Sequence, residues 1–111
     1  MKGIALKYFR LFSEKNIDAL FHLFDGEASL RDWEIEAEGR VNVLTAMRDT
    51  FESVESIQVN VIDIYELRYE NKVIAELEIV IDGKTEEPLS VVDIIKFSEE
   101  EKILAIKAFK G

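Results

Sequence analysis

Apolar residues recur at helical spacing near the start of the chain, where Ile4, Tyr8, Leu11 and Phe12 form a stripe that Ala5 and Phe9 widen. Lys7, Arg10 and Glu14 lie opposite, so the spacing predicts an amphipathic helix from Gly3 to Glu14. Asn16 suits an N-cap, with Asp18 in the first turn behind it. Ile17, Leu20, Phe21 and Phe24 supply the apolar face of this second, short helix, and Asp25-Gly26 is expected to end it. The period then changes. Glu27 to Asp32 alternates, with Ala28, Leu30 and Asp32 on one side, which predicts a short strand. After Gly39 a third helix fits Arg40 to Glu52 and buries Val43, Leu44, Met47 and Phe51.

From Ser56 onward, runs of β-branched and aromatic residues predict strands over Ile57 to Tyr69, Val73 to Ile81, Leu89 to Phe97 and Ile103 to Phe109. Asn71-Lys72, Asp82-Gly83 and the charged run Ser98 to Lys102 separate them as turns. Strands joined by short turns run antiparallel. The expected architecture is α+β, a single domain over residues 1–111 with helices laid on one face of a curved, mostly antiparallel sheet.

Composition narrows the function classes. With 14 basic and 23 acidic residues the net charge is −9, and no basic run breaks that balance. Such a surface repels phosphate backbones, so no nucleic-acid partner is expected. A hydrophobic content of 48% is too high for a disordered acidic tail. No apolar stretch approaches the roughly 18 residues of a membrane span, so no membrane partner is expected. Lys7 and Arg10 interrupt the apolar start, which therefore lacks the core of a signal peptide, and a cytoplasmic location is the default expectation. The chain has no cysteine, hence no thiolate nucleophile and no disulfide framework.

Strand periodicity isolates a few acids. Leu89, Val91, Asp93, Ile95 and Phe97 share one strand face, so Asp93 sits alone in the most apolar row of the chain. Desolvation there raises a carboxyl pKa above the ~3.9 of free aspartate, leaving a group able to donate a hydrogen bond. The competing reading is a carboxylate at a strand edge, hydrated or paired with a lysine. Asp32 extends the row of Ala28 and Leu30 to the end of its strand, where it could serve as a general base or simply cap a turn. Asp63 interrupts the row Ile57, Val59, Val61, Tyr65, Leu67 and competes with Asp93 as an inward acid.

Tyr8 lies on the apolar stripe of the first helix, where a phenol packs its ring and offers its hydroxyl to a cavity or to the core. His22 is the only histidine, so no transition-metal site is expected. Phosphate-binding loops, dinucleotide fingerprints and nucleophile elbows are absent, and no cofactor is implied. Glu99 to Glu101 reads as a solvated turn. Trp33 stands as a pocket wall or a lid over the core.

Four segments together resemble the cone-shaped nuclear transport factor 2-like (cystatin-like) fold, which includes ketosteroid isomerases and SnoaL-like polyketide cyclases. LKYFRLFSEKNIDALFHLF (Leu6 to Phe24) resembles its opening helix pair, and EASLRDW (Glu27 to Trp33) its short strand ending in an acid. EGRVNVLTAM (Glu38 to Met47) resembles the Gly-Arg opening of its third helix, and SVVDIIKFSEEEKILAIKAF (Ser90 to Phe109) its last hairpin. The resemblance runs from Ile4 to Gly111.

By that resemblance Tyr8, Asp32 and Asp93 are the catalytic residues. Asp32 would move a proton next to a ketone while Tyr8 and a protonated Asp93 hydrogen-bond the dienolate oxygen. Trp33, Met47, Phe24, Val91, Ile95 and Phe109 are the expected pocket lining, around a small apolar ligand. Unlike the isomerases, this chain carries Trp33 for the proline after the base, a shorter loop over Glu34 to Glu38, Met47 for a supporting tyrosine, and Lys110 at an often aromatic position. These differences point to a ligand smaller than, or different from, a steroid. The alternatives are a SnoaL-like cyclase or dehydratase, and a non-catalytic ligand-binding domain or a homodimer built through the sheet, with Val92, Ile94, Ile62 and Ile64 on the outward row. An open cavity holding Asp32 and Asp93 favours chemistry; one plugged by Trp33 and Met47 favours the structural reading.

Overall fold

A computed structural model describes residues 1–111, and its element order follows the sequence pattern closely. Helix α1 covers Lys2–Ser13 and α2 covers Ile17–Phe21, with the Asn16 side chain accepting the N–H of Ala19 at 3.1 Å as its cap. Strand β1 (Phe24–Arg31) and the short β2 (Glu36–Glu38) precede α3 (Arg40–Glu52). Gly39 caps α3 with φ +87°, a backbone conformation that L side chains rarely adopt. Strands β3 (Ile57–Leu67), β4 (Lys72–Ile81), β5 (Leu89–Phe97) and β6 (Ile103–Lys110) complete the chain, with a 3-10 turn at Arg68–Glu70.

The strands form one sheet in the order β2-β1-β6-β5-β4-β3. Every pairing is antiparallel except β1 with β6, which is parallel, so the first strand closes the sheet against the last. The core lies between the inward sheet face and the helices, where Leu20, Phe24, Val43, Val73, Ile95, Phe97, Ile103 and Ile106 are the largest fully buried side chains. Burying apolar surface of this kind stabilises the fold by about 25 cal/mol for each Å² removed from water. No helix is long and apolar enough to cross a membrane.

Four features depart from the expectations, the first being strand β2 where the sequence reads as a loop over Glu34 to Glu38. Phe24 belongs to β1, not to the second helix, and Asp25-Gly26 lies inside that strand. The Asp25 carboxylate accepts the N–H of Glu27 at 2.9 Å, and the β1/β6 register shifts between Phe24 and Ser29, so this turn signal produces a kink rather than a helix end. In β3 the register shifts between Val61 and Asp63, leaving Ile62 as an extra residue. Such a bulge reverses the alternation beyond it. Ile57 and Val59 point inward before it and Ile64, opposite Ala75, after it. Tyr69 falls in the 3-10 turn instead of the third predicted run.

Candidate active site

The cone encloses a cavity of about 140 Å³, lined by 19 residues of which 16 are hydrophobic. The other three are Asp32 beyond the end of β1, Thr50 from α3 and Asp93 from β5, and Tyr8 from α1 adds a phenol hydroxyl to an otherwise apolar set. Tyr8, Asp32 and Asp93 thus border one space. Each arrives by simple geometry: Tyr8 on the buried stripe of α1, Asp32 in phase with buried Ala28 and Leu30, and Asp93 between buried Val91 and Ile95.

Asp93 is 7% exposed and is the one buried charged residue of the chain. Burial, reinforced by the charge of Asp32, pushes its pKa up to about 7, so its neutral and ionised forms are close to balanced at neutral pH. Burial likewise lifts the Tyr8 phenol well above its usual value, with the charges of Asp93 and then Asp32 adding to the effect. Neither group takes a hydrogen bond from, or gives one to, another protein group, and neither has its polar atoms sealed off from the cavity. Two polar groups therefore face an apolar space with their hydrogen-bonding capacity unspent.

Asp32 is half-buried and has two jobs on two oxygens. Its Oδ1 accepts the backbone N–H of Glu34 at 2.7 Å and of Ile35 at 2.6 Å, while its own N–H reaches the Ile35 carbonyl at 2.9 Å. The capping reading of Asp32 is correct for Oδ1. Oδ2 carries no protein hydrogen bond and remains available at the cavity.

Asp63 is not an inward acid. The β3 bulge turns it outward, where its carboxylate accepts the N–H of Ile64 and the hydroxyl of Tyr65, both at 2.9 Å.

Of the expected lining, Trp33, Met47 and Val91 border the cavity and three residues do not. Phe24 sits behind Tyr8, meeting its ring edge-on at 5.9 Å, and so supports the phenol without reaching the cavity. Ile95 is fully buried in the core beyond Asp93. Phe109 pairs with Val92 on the outward face and is 57% exposed, because inward Asp93 is matched by Ala108. Phe9, Phe12, Ile79, Ile81 and Leu89 line the cavity in addition. Their apolar periodicity was a sufficient sign of burial, yet it does not separate a cavity wall from the core. Arg40 anchors the same region, its guanidinium 4.0 Å from the Phe21 ring centroid and its Nη1 donating to the Phe24 carbonyl at 3.3 Å.

Trp33 is 40% exposed at the mouth, with the Lys110 ammonium 5.4 Å from its ring centroid. No three of histidine, aspartate and glutamate side chains converge as metal ligands would.

No curated protein sequence matches the chain. Among solved structures, a nuclear transport factor 2-like protein of unknown function from Cytophaga hutchinsonii is similar at a TM-score of 0.80 and 12% identity, covering 99% of this chain and 88% of that one. A protein described as a candidate polyketide cyclase from Sinorhizobium meliloti has a TM-score of 0.83 at 15% identity, covering 97% of this chain and 94% of that one. SalBIII, an epoxide hydrolase/cyclase-like enzyme of pyran ring formation in the polyether salinomycin, has a TM-score of 0.79 at 22% identity, covering 99% of this chain and 89% of that one. At these identities the likeness carries the fold. The sequence itself matches the SnoaL-like domain over residues 5–106, and the chain belongs to the SnoaL-like domain family.

Proposed function

We propose that the protein is an acid/base catalyst of proton transfer on a small apolar carbonyl compound, in the manner of a ketosteroid isomerase. The observation that carries this reading is the pairing of Tyr8 and Asp93, two hydrogen-bonding groups without protein partners in a cavity otherwise almost wholly apolar. In so apolar a lining, donors aimed at a developing oxyanion act with more strength than in solvent. A carbonyl oxygen between Tyr8 and neutral Asp93 would gain charge as the adjacent carbon loses a proton. Asp32 Oδ2 would take that proton and return it further along the skeleton, moving a double bond into conjugation. The residual Oδ1 bonds hold the base in place throughout. A cavity of about 140 Å³ suits a single small ring rather than a steroid.

The test is turnover of a panel of small β,γ-unsaturated ketones. Wild type should isomerise at least one, and Asp32→Asn should abolish that activity with an unchanged fold. No turnover by wild type across the panel removes the support for this reading. A cyclase or dehydratase would draw on the same acids with another substrate.

A second reading, self-association through the sheet, is favoured by the outward face. Ile62 is 57% and Tyr65 47% exposed there. Two copies stacked through this face would cover both side chains. Sedimentation should find a dimer that Ile62→Lys converts to monomer; a monomeric wild type ends this reading.

A further inference from the structure

Beyond the cavity mouth lies a cleft built by Arg31, Asp32, Trp33, Lys107, Ala108, Phe109 and Lys110. It forms because β1 stops at Arg31, whose parallel partner is Lys107, while β6 runs on to Lys110 with no strand beside that edge. Arg31 and Lys107 are thereby neighbours in the outward phase of the sheet, and Lys110, in the inward phase of Ala108, reaches the same notch over the Trp33 ring. None of these cations is paired. The ion pairs of the chain are Met1 with Glu66 and Glu101, Arg10 with Glu14, and Arg68 with Glu66. Glu36, the cross-strand neighbour of Arg31, forms no ion pair with it.

An unpaired cationic cluster is out of keeping with a chain of net charge −9. It adjoins the proposed site directly, since Asp32, Trp33 and Ala108 line both the notch and the cavity. Because β6 has no neighbour at that edge, a ligand seated in the cavity reaches the outward Arg31 and Lys107 past it.

We propose that the notch of Arg31, Lys107 and Lys110 binds a carboxylate carried by the same ligand whose apolar carbonyl part fills the cavity. The substrate class is then a small apolar ketone with an acidic tail, an assignment that rests on the acid/base reading of the cavity. The cations supply charge-assisted donors, and the Arg31 guanidinium matches a carboxylate in geometry. Asp32 beside the notch disfavours a dianion such as a phosphate, whose second charge it would repel. The overall negative field repels acids at long range, so the local cluster decides which of them is held.

The test compares two phenols by titration calorimetry on the whole chain: neutral 4-propylphenol and 3-(4-hydroxyphenyl)propanoate. The ring oxygen of each stands in for the enolate oxygen. At low ionic strength the propanoate should bind about tenfold tighter, and most of that advantage should vanish by about 0.3 M salt. The combined variant Arg31→Gln, Lys107→Gln, Lys110→Gln should lose the advantage and keep its affinity for 4-propylphenol. Equal or weaker binding of the propanoate by wild type overturns the proposal, as does an advantage that survives in the variant or a failure of both phenols to bind. Tyr8→Phe separates the two levels. If it weakens neither phenol while the carboxylate advantage persists, the cavity reading fails and the notch stands.

Discussion

Asp32 and Asp93 border one apolar cavity, and the charge of Asp32 adds to burial in pushing the Asp93 pKa up to about 7. Each acid thereby acquires a distinct character from its surroundings. Asp32, half-buried and held by two backbone N–H groups, is suited to accept a proton; Asp93, buried and without a partner, is suited to donate a hydrogen bond.

The raised pKa has a consequence for stability. A carboxyl with a higher pKa in the folded than in the unfolded state holds an extra proton there between the two values. Stability attributable to Asp93 therefore falls as pH rises from about 4 to about 7, by at most about 4 kcal/mol. Thermal melts across that range should show wild type losing several degrees that Asp93→Asn does not lose, and the variant should be the more stable of the two at pH 8. Parallel pH profiles for the two proteins would show that Asp93 titrates normally.

Tyr8→Phe should separate function from folding. The hydroxyl has no protein hydrogen bond, so its removal should leave stability within about 0.5 kcal/mol of wild type or raise it. Turnover should fall by about a hundredfold or more, as for loss of one oxyanion donor. A large loss of stability with activity retained would place the hydroxyl in the structure instead of the chemistry.

Asp32 can be divided in the same way. Asp32→Asn keeps an oxygen for the N–H groups of Glu34 and Ile35 and should melt near wild type with turnover reduced at least about a hundredfold. Asp32→Ala orphans both N–H groups and should cost about 1–2 kcal/mol in addition. Equal melting points for the two variants would deny the turn-holding role.

Met47→Ala should enlarge the cavity. Met47 is nearly fully buried at the cavity wall, and its truncation should cost about 2–4 kcal/mol. The variant should accept phenols with an added ring substituent that wild type excludes, measured as a gain in their affinity. No change in the size of ligand bound would mean that Met47 does not bound the site.

Much of this arrangement was legible in the residues. The stripe of α1, the cap at Asn16 and the row Leu89 to Phe97 translate directly into helix, cap and inward strand face. Tyr8, Asp32 and Asp93 followed from those phases together with the family resemblance. What escaped was tied to broken alternation. Composition does not mark an extra residue in a strand, so Asp63 kept the phase of Val61 on paper, whereas the bulge at Ile62 turns it to solvent. The one trace is the switch of inward apolar positions from Val59 to Ile64, odd to even. The parallel closure of β1 on β6 also lies beyond local pattern, and with it the notch that gathers Arg31 and Lys107. Phe109 was misplaced for a related reason: only the pairing of Asp93 with Ala108 settles which face it takes.

A carboxyl carbon NMR titration of the Asp93 side chain measures most directly whether it is neutral in the folded protein. The expected midpoint is about 7, moving down in Asp32→Asn as the neighbouring charge is removed. A midpoint near the ~3.9 of free aspartate, unchanged in that variant, would contradict it.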